Sequence, residues 1–455
     1  MGESLQAHEQ FPFPHHSKRS GQALNRRPAE GSGMRDDRQV PLRICLLSYR
    51  SNPHCGGQGV YLKNLSRALR DLGHQVDVIS GPPDPLLDPD IRVHRLPSLD
   101  LYNPADPFRI PSLRELSDPI NLMEWMGVST MGFPEPFTFG LRARQFLRGK
   151  FHRYDIIHDN QSLCYSLWTI GKFVPTLATI HHPITVDRKL AVQAVKAPWK
   201  KVKQMRWYSF VGMQKRVSRR LQKIITVSES AKKDISRDFR VPLAKFKVVP
   251  NGINTELFYP IPGVEREKNR IIVTNSADTP LKGLIYLLRA VEEVSRTHDV
   301  RLTVVGTPQK DGSVVRLIRA LGIGGLVTFT GRIDHGEFVR QYARAAMAVV
   351  PSLYEGFGLP AGEAMACAVP VISTTGGALP EVVGDAGLLV PTADAAALAA
   401  AIKVLLDNPR KAEAMGEAGF RRVRRLFTWE RAAKNTAETY RETMDDYRRF
   451  QQIVN

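Results

Sequence analysis

The sequence predicts an α/β protein of two doubly wound parallel-sheet halves, Rossmann-like in outline, facing one another across a cleft. Three observations carry this. The chain has 455 residues, too many for one hydrophobic core and enough for two domains with appendages. Short apolar runs alternate with helix-compatible segments along most of it, the pattern of βαβ units. The alternation then starts afresh after "VVPNGINTELFYPIPG", which sets a boundary near residue 255.

Residues 1–40, which open "MGESLQAHEQFPFPHHSKRS", mix Pro, Gly, Ser and charge without periodicity. They are expected to be a disordered extension, with His15 and His16 part of a solvated tail rather than a metal site. The first domain, 41–255, begins with the apolar strand "LRICLLSY", a loop containing Gly56, Gly57 and Gly59, an amphipathic helix and a second strand. Those glycines make neither GxGxxG nor GK[ST], so neither the dinucleotide fingerprint nor the P-loop is present. "YDIIHDN", "VPTLATIHH", "KIITVSES" and "KFKVVPNG" each end a short apolar strand in polar or small residues. Ligands of open α/β sheets bind at strand carboxyl ends, which makes His158, Asp159, His181 and His182 candidates. A structural histidine at 158, and a strand-capping histidine at 181, are the alternatives.

The second domain, 256–430, repeats the pattern in "NRIIVTNSADTPLKGLIYLLRAV", "RLTVVGTPQ", "LVTFTGRIDHGEF", "MAVVPS" and "VPVIST". Within it, "DHGE" predicts a capping box of Asp334 and Glu337. Residues 431–455 read as a helix with no sheet of their own to cover, so they are expected to cross back onto the first half.

The stretch "PSLYEGFGLPAGEAMA", 351–366, reads as strand end, glycine turn and helix start, with Pro360 suited to the first helical position. Gly356 and Gly358 let a ligand approach the backbone, and the helix start offers free N–H groups to an anion. Glu363 is expected in the first turn and Glu355 in the loop before it. Carboxylates repel phosphate but hold hydroxyls, so a phosphate between two polyols, as in a nucleotide sugar, fits both. An ordinary first-turn acid beside a solvated loop charge fits this segment alone equally well.

Composition narrows the setting. Cys45, Cys55, Cys164 and Cys367 show neither CxxC nor metal spacing, and Cys164 and Cys367 lie in apolar runs suited to a core. No apolar stretch approaches the roughly 18 residues that span a bilayer, and no signal-peptide core is recognisable. A cytoplasmic protein is expected. The net charge is +19, and residues 188–228 hold no acid while interleaving Lys and Arg with Trp199, Trp207, Tyr208 and Phe210. A basic amphipathic helix of this kind suits an anionic membrane surface, each cation contributing about 1 kcal/mol. A helix packing its apolar side on the sheet is the alternative. Nucleic acid is not expected, because no nucleic-acid motif accompanies the charge. The apolar segment "NLMEWMGVSTMGFPEPFTFGLRARQFLRGKF" is either an acceptor-pocket lid or core.

"NGINTELF", "LKGLIYLLRAV", "VVG" and above all "EGFGLPAGEAMACAVPVISTTGGALPEVV" resemble glycosyltransferase family 4, retaining enzymes of the GT-B fold. The resemblance runs from about residue 43 to the end, and its most specific element is the pair Glu355 and Glu363 with seven residues between. It implies that Glu363 holds the donor ribose, that Glu355 touches the transferred sugar, and that N–H groups around Phe357, Gly358 and Leu359 take sugar and phosphate oxygens. It further implies that Lys282 neutralises the diphosphate, that Gly57 or Gly59 lets the first domain reach the donor, and that His181 lies near the donor sugar. His158 and Asp159 would face the acceptor. One position departs from the family: Ser276 stands where an arginine usually precedes the lysine by six residues. The leaving diphosphate then loses a cation, with Ser276, Thr279 and a helix start as neutral substitutes. No DxD-type metal motif is apparent, and neither an obligatory metal nor another cofactor is expected. The resemblance implies a retaining hexosyltransferase using a nucleotide-diphosphate sugar, with a lipid or lipid-linked acceptor at the inner membrane face. Two rivals stay open: a nucleotide-sugar epimerase or hydrolase, and a catalytically impaired nucleotide-sugar-binding protein.

Overall fold

The first sheet is built from β1 (Arg43–Ser48), β2 (Gln75–Ser80), β3 (Arg92–Arg95), β4 (Ile156–Asn160), β5 (Thr176–Ile180), β6 (Ile224–Thr226) and β7 (Phe246–Val248), in the order 3-2-1-4-5-6-7. This is a computed structural model, and it describes residues 40–52, 57–103, 106, 109–193, 195, 197–274 and 279–454. The N-terminal extension, Cys55, Gly56 and Ser276 therefore lie outside the described residues. The second sheet comprises β8 (Glu267–Thr274), β9 (Arg301–Val305), β10 (Val327–Phe329), β11 (Ala345–Val350), β12 (Val371–Thr374) and β13 (Leu388–Val390), in the order 10-9-8-11-12-13. Every pairing between these strands is parallel.

Helices cover both faces of each sheet, which is why the central strands are near-continuous apolar runs rather than alternating ones. β4 and β5 are buried at every residue. In each half the strand order reverses once, between β1 and β4 and between β8 and β11. Those two switch points are where such sheets open a crevice for ligands.

The last helix, Trp429–Val454, begins two residues before the expected 431 and lies on the first half. Its Ala432, Ala433, Ala437 and Tyr440 share a core with Leu62, Leu65 and Leu69 of the Gly57–Asp71 helix. Lys223 and Lys247 of the first domain pair with Glu442 at 2.8 and 3.0 Å.

Three expectations need correction. β3 and β13 were not expected: "RVHR" and "LLV" are short edge strands, and the first is half-exposed and polar. The capping box is half-formed. Asp334 accepts from Glu337 N at 2.8 Å, but the Glu337 carboxylate turns to Arg340 and Gln341 instead of the cap. The basic run is not one helix but parts of three, Ile184–Gln193, Pro198–Trp207 and Val211–Arg220. The last of these packs Val211, Met213 and Val217 inward as an ordinary sheet-covering helix. Only Pro198–Trp207 turns apolar groups outward, with Trp199, Val202 and Met205 at 65, 57 and 55% exposure. The apolar 121–151 segment divides likewise. Phe139, Ala143 and Leu147 join the core, while Leu122, Met123, Trp125 and Met126 of the Pro119–Ser129 helix are exposed.

Candidate active site

A cleft of about 450 Å³ runs between the carboxyl ends of the two sheets, a size suited to a small-molecule ligand. The loop after β11 and the helix Leu359–Ala366 form its second-domain wall. The turn into this helix works because Gly358 adopts φ +102°, a left-handed conformation that favours glycine. A Cβ there would also stand 2.8 Å from Leu379 Cδ2. Glu355, Gly356, Phe357, Gly358, Leu359 and Pro360 all line the cleft. Pro360 is the second helical residue, one place later than expected.

Lys282 reaches the same wall from a short 3-10 turn, Pro280–Lys282. Leu353 N donates to Leu281 O at 2.8 Å, and Gly283 turns at φ +66° with no room for a Cβ against Pro351 O. This seats the Lys282 ammonium 2.7 Å from Glu355 Oε1, and the Ser352 hydroxyl donates to the same oxygen at 2.7 Å. The expected cation and the expected hydroxyl acceptor are therefore an ion pair across the cleft wall. Glu363 is the fifth residue of its helix, just past the first turn where it was expected, and is half-buried rather than among the residues that line the cleft directly. Burial pushes its carboxyl up to about 7, and the charge of Lys282 draws it back down.

From the first domain come Gly57, Gly59, Gln161, His181 and His182, together with Tyr49, Arg50 and Phe133. Gly57 and Gly59 open the Gly57–Asp71 helix, with open space beside Gly57 where a side chain would be. His181 is held on three sides. Its Nε2 lies 2.7 Å from Asn160 Oδ1, its N–H donates to Gln161 Oε1 at 2.7 Å, and Tyr61 meets its ring edge-on at 4.6 Å. Asn160 uses its amide N–H groups on Ser48 Oγ and Gln58 O, so its oxygen accepts and His181 Nε2 carries the hydrogen. Burial lowers the His181 pKa to about 3, so the imidazole is neutral at any working pH and leaves Nδ1 as an acceptor.

His158 and Asp159 are not brought to the cleft. Both are buried. His158 lies between Tyr440 Oη and Thr179 Oγ1, each at 2.7 Å, and burial lowers its pKa to about 3. The residue is structural, joining β4 to the last helix, and the acceptor role expected of it has no surface to act through. Asp159 accepts from Leu163 N at 2.8 Å and from the Ser162 hydroxyl, fixing the turn that presents Gln161 to the cleft. Burial raises its carboxyl to about 6.

Several lining residues carry no motif that marks them in the sequence. Tyr49 and Arg50 follow β1 at the switch point, so the strand-end rule applied to β1 as well as β4 would have found them. Arg50 makes a two-pronged pair with Glu135, at 2.7 and 3.1 Å, and lies 5.2 Å from the Phe133 ring centroid. Burial raises the Glu135 carboxyl while Arg50 draws it back. Trp207 stacks on the far side of this group, 5.1 Å from Phe133. The first-domain wall therefore joins polar side chains to an aromatic group, while the second carries the Lys282–Glu355 pair.

A family model described as Glycosyltransferase Family 4 matches residues 55–257, and one described as Glycosyl transferases group 1 matches residues 260–422. The chain is 46% identical over 408 residues to an MMP alpha-(1->4)-mannosyltransferase of Mycolicibacterium hassiacum, covering 89% of this chain and 98% of that protein. It is 27% identical to a D-inositol 3-phosphate glycosyltransferase of Kineococcus radiotolerans over 446 residues, 89% of this chain and 96% of the other. Among solved structures, sucrose-phosphate synthase of Thermosynechococcus elongatus superposes with a TM-score of 0.68 at 27% identity, over 89% of this chain and all of that one. HepE of Anabaena, solved with UDP and glucose, superposes with a TM-score of 0.64 at 17% identity, over 88% and 99% of the two chains. At that identity the likeness speaks for the fold alone.

Proposed function

The chain belongs to glycosyltransferase family 4, and from that premise we propose that it is a retaining mannosyltransferase, moving mannose from a nucleotide-diphosphate donor to a carbohydrate hydroxyl. The observation that carries mannose is the 46% identity to an α-mannosyltransferase along 98% of its length. The chemistry is argued from the cleft. Breaking the bond between sugar C1 and the phosphate oxygen leaves negative charge on the diphosphate, and stabilising that charge is the main electrostatic demand of the step. The Lys282 ammonium and the free N–H groups where the Leu359–Ala366 helix begins meet it. Glu355 then takes the sugar hydroxyls and Glu363 the ribose, as the family resemblance implies. Without donor, Glu355 and Lys282 neutralise each other at 2.7 Å. With donor, the phosphate takes the lysine and hydroxyls take the carboxylate, so neither charge is stranded in a partly buried site.

The exposed Trp199, Val202 and Met205, interleaved with Lys200, Lys201 and Lys203, favour docking of the Pro198–Trp207 helix on an anionic membrane, where a lipid-linked acceptor would be presented. No described helix is long and apolar enough to cross a membrane.

The test is a thermal-shift panel of nucleoside diphosphates and their sugars, with and without anionic vesicles, followed by transfer assays on Glu355→Gln. A ligand that binds the native state raises its apparent stability. One nucleotide mannose should stand out, chelator should leave transfer intact, and Glu355→Gln should lose transfer at least about a hundredfold while remaining folded. Normal transfer by that variant would refute the role of Glu355, and vesicles that neither bind nor stimulate would remove the membrane limb.

A further inference from the structure

The Glu229–Phe239 helix belongs to the first domain, yet its first two N–H groups are satisfied from the second. Glu381 accepts from Glu229 N at 2.8 Å on one carboxylate oxygen and from Ser230 N at 2.7 Å on the other. Ser228, the N-cap, accepts from Ala231 N at 3.0 Å and gives its own hydrogen to Gly356 O at 2.7 Å. Further along the same helix, Asp234 accepts from the Tyr354 hydroxyl at 3.0 Å. Gly356 completes the seam: a Cβ there would stand 2.5 Å from His181 O. One helix end thus meets the cleft loop at 354 and 356 and the acid at 381.

Glu381 is also connected to Glu355 within its own domain. Gly377 forms a parallel bridge with Glu355, Ala378 N donates to Glu355 O at 2.9 Å, and Gly377 has no space for a Cβ against that carbonyl. The short helix bearing Glu381 starts at Leu379, immediately after these contacts. A carboxylate at a helix N-terminus is favoured both by the two N–H groups it accepts and by the helix dipole. No other residue type offers two acceptor oxygens at this reach and a full negative charge.

We propose that Glu381 is a positioning residue for the transfer: by capping the Glu229–Phe239 helix across the cleft it holds the domains closed and sets Glu355 against His181. The proposal rests on reading the cleft as the donor site. Glu381 does not line that cleft, and Lys282, Phe357, Gly358 and Leu359 all belong to the second domain. The nucleotide should therefore still bind when the cap is lost, while the first-domain wall is no longer held in register.

The experiment compares wild type with Glu381→Ala and Glu381→Gln in three measurements. Transfer kinetics should show kcat reduced about tenfold, as expected for loss of a charge-assisted cap. The Kd of a nucleoside diphosphate should change by less than about twofold, since its partners lie elsewhere. Small-angle scattering should show the variants more extended than wild type with nucleoside diphosphate present. Combining Glu381→Ala with Tyr354→Phe should be less than additive in kcat, because both act on the same closure. Wild-type kcat in both variants, or a loss confined to thermal stability, overturns the proposal. If wild type transfers nothing from any donor, the glycosyltransferase reading fails by itself. Scattering still decides the cap in that case, because identical profiles for wild type and variants would refute it.

Discussion

Glu363 is the residue whose environment makes the sharpest demand. Its carboxyl is pushed up to about 7 by burial, above the ordinary 4.5. In the proposed role Glu363 takes the ribose, whose hydroxyl donates best to the ionised form, so donor binding would be accompanied by proton release below that pH. Affinity for a nucleotide sugar should rise about tenfold between pH 6 and pH 8, and Glu363→Gln should be flat over the same range. The sugar nucleotide is the right probe, because its diphosphate does not itself titrate there. Stability runs in the opposite direction. The native state holds a proton that the unfolded chain has released between 4.5 and 7, so this contribution is full at acid pH and lost as pH rises through 7. A binding titration with equal affinities at the two pH values would show that the Glu363 carboxylate does not take the ribose. At this scale the charged residues were legible: Glu355 and Lys282 announce themselves by type and spacing, and both line the cleft. His158 was not, because its partner Tyr440 lies 282 residues away in a helix whose inward residues the sequence does not mark.

Between residues and domains, the helix Leu359–Ala366 shows how a local backbone choice shapes a cleft wall. Its N-cap Gly358 sits at φ +102°, ψ +49°. Alanine there carries a left-handed penalty of about 1–2 kcal/mol and a Cβ 2.8 Å from Leu379 Cδ2. The Leu379 side-chain end can shift aside, but the backbone strain is relieved only by turning the peptide, which moves the N–H groups assigned to the phosphate. Gly358→Ala should therefore lower the melting temperature by a few degrees and weaken nucleoside-diphosphate binding about tenfold, as read by calorimetric titration. Unchanged affinity in a destabilised variant would leave Gly358 a folding role only. The strand–turn–helix here was readable because glycine, proline and an apolar run coincide. The edge strands β3 and β13 were not, since three or four residues with a polar or exposed side give no period to count. The basic run misled for a related reason. Charge without acid looks continuous, while Pro198 and the 3-10 turn at Tyr208–Phe210 divide it into helices with different faces.

The whole molecule is held by a chain that crosses between its halves twice. The first crossing runs from β7 to β8 and the second enters the last helix, and they meet where Ile253 N donates to Phe427 O at 2.8 Å. Gly252 packs so closely on Trp429 that a Cβ would stand 2.3 Å from its backbone nitrogen. Two halves, and a final helix returning to the first, could be expected from the restart of the pattern and from a helix with no sheet to cover. What keeps the halves in register is a set of contacts between residues more than a hundred positions apart, which no local pattern encodes. The last helix is part of the first domain's core, and Tyr440 is its largest fully buried side chain, with its hydroxyl 2.7 Å from His158 Nδ1. Tyr440→Phe keeps the ring and leaves that imidazole nitrogen without its partner in a site closed to water. The expected cost is about 1–3 kcal/mol, seen as a lower urea midpoint with an unchanged slope. Since the loss falls on the first domain, nucleoside-diphosphate affinity, assigned in our proposal to the second, should stay as in wild type. A variant as stable as wild type would mean that the helix is held by its apolar face and ion pairs alone, with the Tyr440–His158 bond contributing nothing.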